Sequence, residues 1–352
     1  MPIIPHNPRF VIGVDTHART HALAVVAAAG PLIAEAEFPT SPAGLTRAVA
    51  WAGRRTGGDL DALWAIEGVG SYGAGLARAA RQHGYQVVEA PRYRDRRRDR
   101  ARGKSDPLDA RRIARAAIAS DQTETRHPRR DDGPGAALRV LLTAREQMTK
   151  ARTAAINALT AVLRTRDLGI DARRRPGAET VSKIARWRPR GEPVAPAAAR
   201  AEAVRLARQI EALDGQLRAS HERIRAMVKA SPAAGLLDIT GVGPITAAVA
   251  LTAWSHPGRV RSEAAFAALA GVNPIPASSG NTVRHRLNRG GDRRLNHALH
   301  MAAVTRMTYH DQTRQYVARR TAEGKTSKEI RRCIKRYLAR QIYRHLESAA
   351  DV

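Results

Sequence analysis

Between Phe10 and Ala90 the apolar residues come in short runs broken by turn residues, and from Pro134 onward they recur at three- and four-residue spacing. That change of period, from strand-like to helical, allows few folds: a sheet with its covering helices first, then a set of packed helices. The runs at 10–14, 21–28 and 32–38, the last two separated by Gly30 and Pro31, predict three consecutive strands. Ser41 and Pro42 supply the Ncap and first position of a helix that ends near Thr56, where Gly57 and Gly58 stop it. Residues 63–66 then read as a strand, 72–83 as a helix, 86–90 as a strand and 106–120 as a helix. The order βββαβαβα makes an α/β domain of residues 1–125.

In the helical part, Leu138, Leu141, Leu142, Arg145, Met148, Ile156, Leu159 and Leu163 share one face of a long helix. Ile210, Leu213, Leu217, Ile224 and Met227 mark a second over 198–229. The two suit an antiparallel pair or a coiled coil between copies, within a helical linker of residues 134–231. Residues 172–197, rich in Arg, Pro and Gly, are expected to be irregular. Residues 232–352 read as an all-α domain with helices near 244–254, 261–270, 292–308 and 327–347, interrupted by a Gly-rich loop at 273–291.

Chemistry enters with four carboxylates. Asp15 closes the apolar run of FVIGVDTH, Glu67 closes LWAIEG, and Asp106 and Asp109 stand in KSDPLDARR. Sixty Lys and Arg against 32 Asp and Glu leave a formal charge of +28, so isolated acids at strand ends look like ligands rather than solubilising charge. Adjacent strands would bring Asp15 and Glu67 to one sheet edge, where a hard divalent cation finds oxygen donors. Taken singly, either acid also reads as a solvated turn residue. Asp106 and Asp109 share a helix face, and beside Pro107 they are good capping residues as well, a role compatible with metal ligation. Together the four could hold two Mg²⁺ ions, or Mn²⁺, about 4 Å apart, the arrangement that clamps both oxygens in phosphoryl transfer.

The charge excess suits a polyphosphate partner and makes nucleic acid the leading one, double-stranded DNA included. No apolar run is long enough to span a membrane. The single Cys333 cannot form an intrachain disulfide, and MPIIPHNPRF lacks the order of a signal peptide, so a cytoplasmic location is expected. Gly241 and Gly243 in LLDITGVGPITAAVAL suit a helix-hairpin-helix whose backbone N–H groups receive a DNA phosphate, although an ordinary αα turn explains them equally. In PIPASSGNTVRHRLNRGGDRRLNHALH, Ser278 and Ser279 precede a glycine, with Arg284, His285, Arg286, Arg289, Arg293 and Arg294 close behind. Serine needs activation to act as a nucleophile, whereas the arginines could bind a scissile phosphate. At the C-terminus Ile330, Ile334, Leu338 and Ile342 mark an amphipathic helix with basic residues on its other faces.

Taken in order, GVDTHARTHALAVV, AIEGVGSYG, KSDPLDARRIA, GVGPITA, AGVNPIPASSG and RGGDRRLNHAL make the chain resemble the IS110-family transposases, the DEDD recombinases. The resemblance implies an RNase H-like (RuvC-like) N-terminal domain in which Asp15, Glu67, Asp106 and Asp109 are the DEDD tetrad binding Mg²⁺. It further implies that Ser279, with Ser278 the adjacent alternative, attacks a DNA phosphodiester and forms a phosphoserine link. A coiled coil, a homodimer that pairs into a tetramer, a noncoding bridge RNA and a bacterial, nucleoid-associated setting follow from the same resemblance. Here Arg289, Gly290 and Gly291 lead to Leu295 and Asn296 where family members often carry Leu-Arg, and Arg293 and Arg294 stand in for it. Two rival readings remain: a RuvC-like Holliday-junction nuclease without a covalent intermediate, and a basic nucleic-acid-binding protein without chemistry.

Overall fold

Alternation along the first strand decides how the N-terminal sheet is covered. The computed structural model describes residues 8–90, 106–120, 125–277 and 285–350. In it β1 (Phe10–Thr16), β2 (Thr20–Ala27), β3 (Leu32–Pro39), β4 (Leu63–Ile66) and β5 (Gln86–Glu89) form one sheet in the order β3-β2-β1-β4-β5. The β1–β2 and β2–β3 pairs are antiparallel, and the β1–β4 and β4–β5 pairs are parallel. Ile12, Val14, Leu23, Val25, Trp64 and Ile66 bury one face under α1 (Pro42–Arg55) and α2 (Ala74–Gln82). Val11, Val26, Leu63, Ala65 and Val88 turn the other way, onto α3 (Asp106–Ala119). Because side chains alternate along a strand, Gly13 and Asp15 share the α3 face with Val11, and Glu67 shares it with Leu63 and Ala65.

Helix α1 begins as the sequence predicts, with the Ser41 hydroxyl accepting from the Gly44 N–H and Pro42 in the first turn. The contact of α3 with the sheet is unusually close. Gly13 faces Ala110 and Ala114, and any Cβ there would sit 2.1 Å from the Ala110 carbonyl oxygen. The Arg111 Nε donates to Glu35 Oε1 at 2.9 Å and ties the same helix to β3. Residues up to Arg129, joined by 256–261, form one compact unit; residues 130–255 and 262–352 form the other. Within the first unit the Arg259 guanidinium pairs with Glu89 at 3.2 Å.

The second unit is mostly helical. Helices α4 (Gly133–Thr165) and α6 (Val194–Lys229) run antiparallel: the Arg145 guanidinium donates to the Leu217 carbonyl, and further along α4 Arg152 pairs with Asp214, earlier in α6. One departure from expectation lies between them. Residues 172–197 are not wholly irregular, since α5 (Ala178–Ala185) packs Val181, Ile184 and Ala185 against Leu159, Leu163, Leu206 and Ile210. The flanking Arg, Pro and Gly residues hid a helix too short to show its period, and α6 likewise starts earlier than 198 because proline is tolerated in a first helical turn.

Helices α7 (Pro244–Trp254), α8 (Glu263–Leu269), α9 (Arg293–Tyr309), α10 (Asp311–Ala322) and α11 (Ser327–Ser348) complete the unit. Helix α10, polar along most of its length, carries little hydrophobic pattern and was not expected from the sequence. The region is also not purely helical: β6 (Ile275–Pro276) and β7 (His285–Arg286) make a small antiparallel ribbon. Among the described residues no helix is long and apolar enough to cross a membrane.

Candidate active site

Parallel pairing of β1 with β4 sets Val14 opposite Ile66, and the Glu67 N–H donates to the Val14 carbonyl at 3.0 Å. The residues just beyond, Asp15 and Glu67, therefore emerge side by side at one sheet end, on the face that α3 covers. The turn that follows Glu67 requires Gly68, whose φ is +58°. Its start is held by the Thr16 hydroxyl, which donates to the Glu67 carbonyl at 3.1 Å. Close packing at Gly13 fixes where α3 begins, and that first turn carries Asp106 and Asp109.

Asp15 is 7% exposed. His17, which the sequence reading passed over, lies between two of the acids: its Nε2 is 3.1 Å from Asp15 Oδ2 and 3.3 Å from Asp106 Oδ2. Asp15, His17 and Asp106 each offer an atom within 4.8 Å of the others, a group able to hold a metal ion. The signal was present in DTH, since residues two apart leave a strand on the same side.

Glu67 is the electrostatic gauge of this cluster. Burial first, then the Asp15 charge, and after it the Asp109 charge hold its carboxyl above the ordinary value of 4.5. In its protonated form Glu67 donates a hydrogen bond to Asp15. Asp109 is drawn to Arg112, whose Nη1 lies 2.7 Å from its Oδ1. Of the sequence-predicted acids, Glu67 thus feels the charges of Asp15 and Asp109, and Asp15 lies close to Asp106. Crowded like charge of this kind is what a bound divalent cation relieves.

The second unit holds a basic cleft of about 1000 Å³. Where the chain enters and leaves the β6–β7 ribbon, Gly271 (φ +64°) and Gly291 (φ +91°) are so closely packed that a Cβ on either would meet backbone at 2.5 Å, that of Gly290 and of Leu269 respectively. Between these glycines and the ribbon the Asn288 amide donates to the Asn273 side-chain oxygen at 2.6 Å. Arg286, Arg289 and Arg293 line this cleft, as does His285. Arg294 instead extends to Glu146, 2.5 Å away. Ser278, Ser279 and Arg284 lie outside the described residues.

At the hairpin, Gly241 has φ +88° and touches the Ala302 carbonyl of α9, so its role in packing is plain. Gly243 is the Ncap of α7, with open space around it and no side-chain cap. That leaves backbone N–H groups at the start of α7 free of a capping side chain, the feature a phosphate contact needs.

Comparison with known proteins converges on one group. Residues 12–166, which include all four acids, match the family model for DEDD transposases of the IS110 type, described as "Transposase". Residues 233–318, which include the hairpin, the two serines and Arg293, match a second model described as "Transposase IS116/IS110/IS902 family". A curated relative, the "Insertion element IS110 uncharacterized 43.6 kDa protein" of Streptomyces coelicolor, is 34% identical over 123 residues, or 34% of this chain and 30% of that protein. The match thus spans about a third of the length of that relative.

Proposed function

Because the chain belongs to the IS110 family of transposases, we propose that it is a DNA recombinase that excises and inserts a mobile element by metal-dependent strand cleavage and exchange. The observation that carries this reading is the convergence of Asp15, His17 and Asp106 on one point, with the Glu67 carboxyl held above its ordinary value by burial and by the neighbouring Asp15 charge. The strand order, an antiparallel meander running into two parallel strands, supports an RNase H-like domain around that point.

The donor set fits a hard divalent cation. Asp15, Glu67, Asp106 and Asp109 supply oxygens suited to Mg²⁺, and a His17 nitrogen is better tolerated by Mn²⁺. When bound, one or two such ions would polarise a phosphodiester and stabilise its developing charge. The chain's own residues do the rest. Asp15 is held at the end of β1, Asp106 and Asp109 are held by the first turn of α3, and Glu67, its carboxyl pushed up by burial and by Asp15, would bind a cation more readily once ionised.

Ser279 supplies the nucleophile in this reading. Its Oγ forms a bond to phosphorus as the bond to the leaving strand's oxygen breaks; the serine gives up its proton and the leaving oxygen gains one. Reversal on a second strand reseals the backbone and frees the serine. Arg286, Arg289 and Arg293 neutralise the phosphate during this exchange. Family membership further supports a homodimer that assembles to a tetramer and a noncoding bridge RNA that selects donor and target DNA.

The test uses the full chain, Mg²⁺ and a plasmid bearing the gene with its flanking DNA, read on denaturing gels and by mass spectrometry. A protein–DNA adduct in the wild type that disappears in Ser279→Ala is expected. Cleavage that persists in Ser279→Ala without any adduct would overturn the serine mechanism in favour of a junction nuclease. DNA binding without cleavage, unaffected by Asp15→Ala, would reduce the protein to a basic nucleic-acid-binding role.

A further inference from the structure

Lys335 is a buried cation that the proposed chemistry does not use. It stands on α11 three residues before Leu338 and seven before Ile342, within the apolar stripe of that helix, and is 8% exposed. Its Nζ donates to Asn296 Oδ1 at 2.7 Å. Asn296 is fixed in turn, because its Nδ2 donates to the Ala270 carbonyl at 2.7 Å, which leaves Oδ1 to face the lysine. An ammonium has three donors, and among the described residues Lys335 has no carboxylate within ion-pair distance. Two donors therefore remain on a charge that burial makes costly.

Those donors open onto the cleft. Lys335 lines it together with His297, His300, Arg293 and Arg336. Eight Lys and Arg side chains border the cavity against the one carboxylate of Glu329, and that carboxylate is engaged in capping α11 through Thr326. Burial and then the neighbouring Arg331 lower the pKa of Lys335, while His300 is lowered by burial and by Arg331, Lys335 and His297. Arg320 is paired with Glu323, but cations still outnumber carboxylates around the cleft, as expected of a site completed by an anion.

We propose that Lys335 is the floor of a phosphate-binding site, its ammonium taking a non-bridging oxygen of one duplex-DNA phosphodiester while Arg293 and Arg336 receive the phosphates on either side. Asn296 is the positioning residue that aims the ammonium. The assignment rests on the reading of the protein as one that engages DNA, but it concerns binding alone and needs no divalent metal. It also explains why a lysine occupies the apolar face of α11, where any aliphatic residue would pack at lower cost.

The test measures duplex affinity by fluorescence anisotropy in EDTA, over a range of salt, for the wild type and Lys335→Met. The nearly isosteric methionine fills the space and removes the charge. The expected result is a loss of affinity of about tenfold or more, with the slope of log K against log salt falling by about one. The melting temperature of the free protein should hold or rise, because an unpaired buried charge is gone. Duplex binding within twofold of the wild type would overturn the assignment. So would a lowered melting temperature with unchanged affinity, the signature of a structural lysine.

An RNA hairpin of matched length forms a second arm, and an effect of Lys335→Met on the hairpin alone would also refute the proposal. Should Lys335→Met fail to fold, amine acetylation of the wild type followed by mass spectrometry gives an independent measure. Lys335 should be protected by duplex, and a Lys335 left reactive while Lys325 is protected would refute it. Running Asp15→Ala in parallel separates the two readings, since that variant should lose cleavage yet keep the Lys335-dependent affinity.

Discussion

Replacing Gly13 by alanine tests the proposition that one backbone contact sets the geometry of the acidic site. The new Cβ would lie 2.1 Å from the Ala110 carbonyl oxygen, 2.5 Å from the Ala114 nitrogen and 2.8 Å from the Ala114 Cβ, whereas real Cβ atoms keep at least 3.0 Å. Two of those three atoms are backbone, so no rotamer change relieves them and α3 must withdraw by about 1 Å. Overpacking of this kind costs about 1–3 kcal/mol, which lowers the melting temperature by roughly 1–2 °C per kcal/mol in a chain of 352 residues. The functional effect should be larger, because α3 carries Asp106, now 3.3 Å from His17. A misplacement of about 1 Å costs on the order of a hundredfold in rate. Calorimetric Mn²⁺ titration and the strand-cleavage assay read the site, and thermal melting reads the fold. Gly135→Ala is the matched control, since nothing lies within 4 Å of that position, and it should be neutral or slightly stabilising. A Gly13→Ala protein that melts normally and binds Mn²⁺ within twofold of the wild type would refute the argument.

Three further outcomes follow from the same geometry. Glu67 is raised above 4.5 in the folded protein, so the folded state holds the extra proton and metal-free stability falls as pH rises from 4.5 through the folded value; Glu67→Gln should therefore melt higher than wild type at neutral pH, a difference absent below pH 4.5, and added Mn²⁺ should stabilise wild type more. His17→Ala should weaken Mn²⁺ binding about tenfold or more in calorimetry, and an unchanged isotherm would remove His17 from the donor set. Ile184→Ala, at a fully buried position of α5, should cost about 2–5 kcal/mol in denaturant unfolding, whereas a neutral result would mean that α5 does not pack on α4 and α6.

Much of the first unit was legible because its signals are local. Strand runs at 10–14 and 63–66, the Ser41–Pro42 cap and the Gly57–Gly58 stop depend on neighbours along the chain, and each element was found where they placed it. Asp15 and Glu67 were legible as a pair once β1 and β4 were taken as adjacent, since strand ends in register bring their next residues together. His17 was missed because histidine after a strand has many ordinary explanations, and only the third dimension sets it between Asp15 and Asp106. Helix α5 was missed for a different reason: its eight residues amount to two turns, and its helicity comes from the α4–α6 groove it fills. Lys335 was readable from the spacing of Ile334, Leu338 and Ile342, had the stripe been extended to the one polar residue that falls on it.

The two charged centres are built on different scaffolds, and their chemistry explains why. Ligands that must converge within 4.8 Å tolerate little error, and here they stand on a strand end and a helix start locked together through Gly13 with no flexible side chain between. Phosphate recognition tolerates more, because the attraction of an arginine to a polyanion declines gently with distance. The cleft accordingly carries most of its charge on long side chains, while the buried Lys335 is held by its hydrogen bond to Asn296. A net charge of +28 attracts polyanions from a distance and repels cations by the same field, yet that field is screened beyond about 8 Å at physiological salt. On the proposed reading, divalent-ion affinity must then arise locally, where Asp15, His17 and Asp106 converge in an otherwise basic chain.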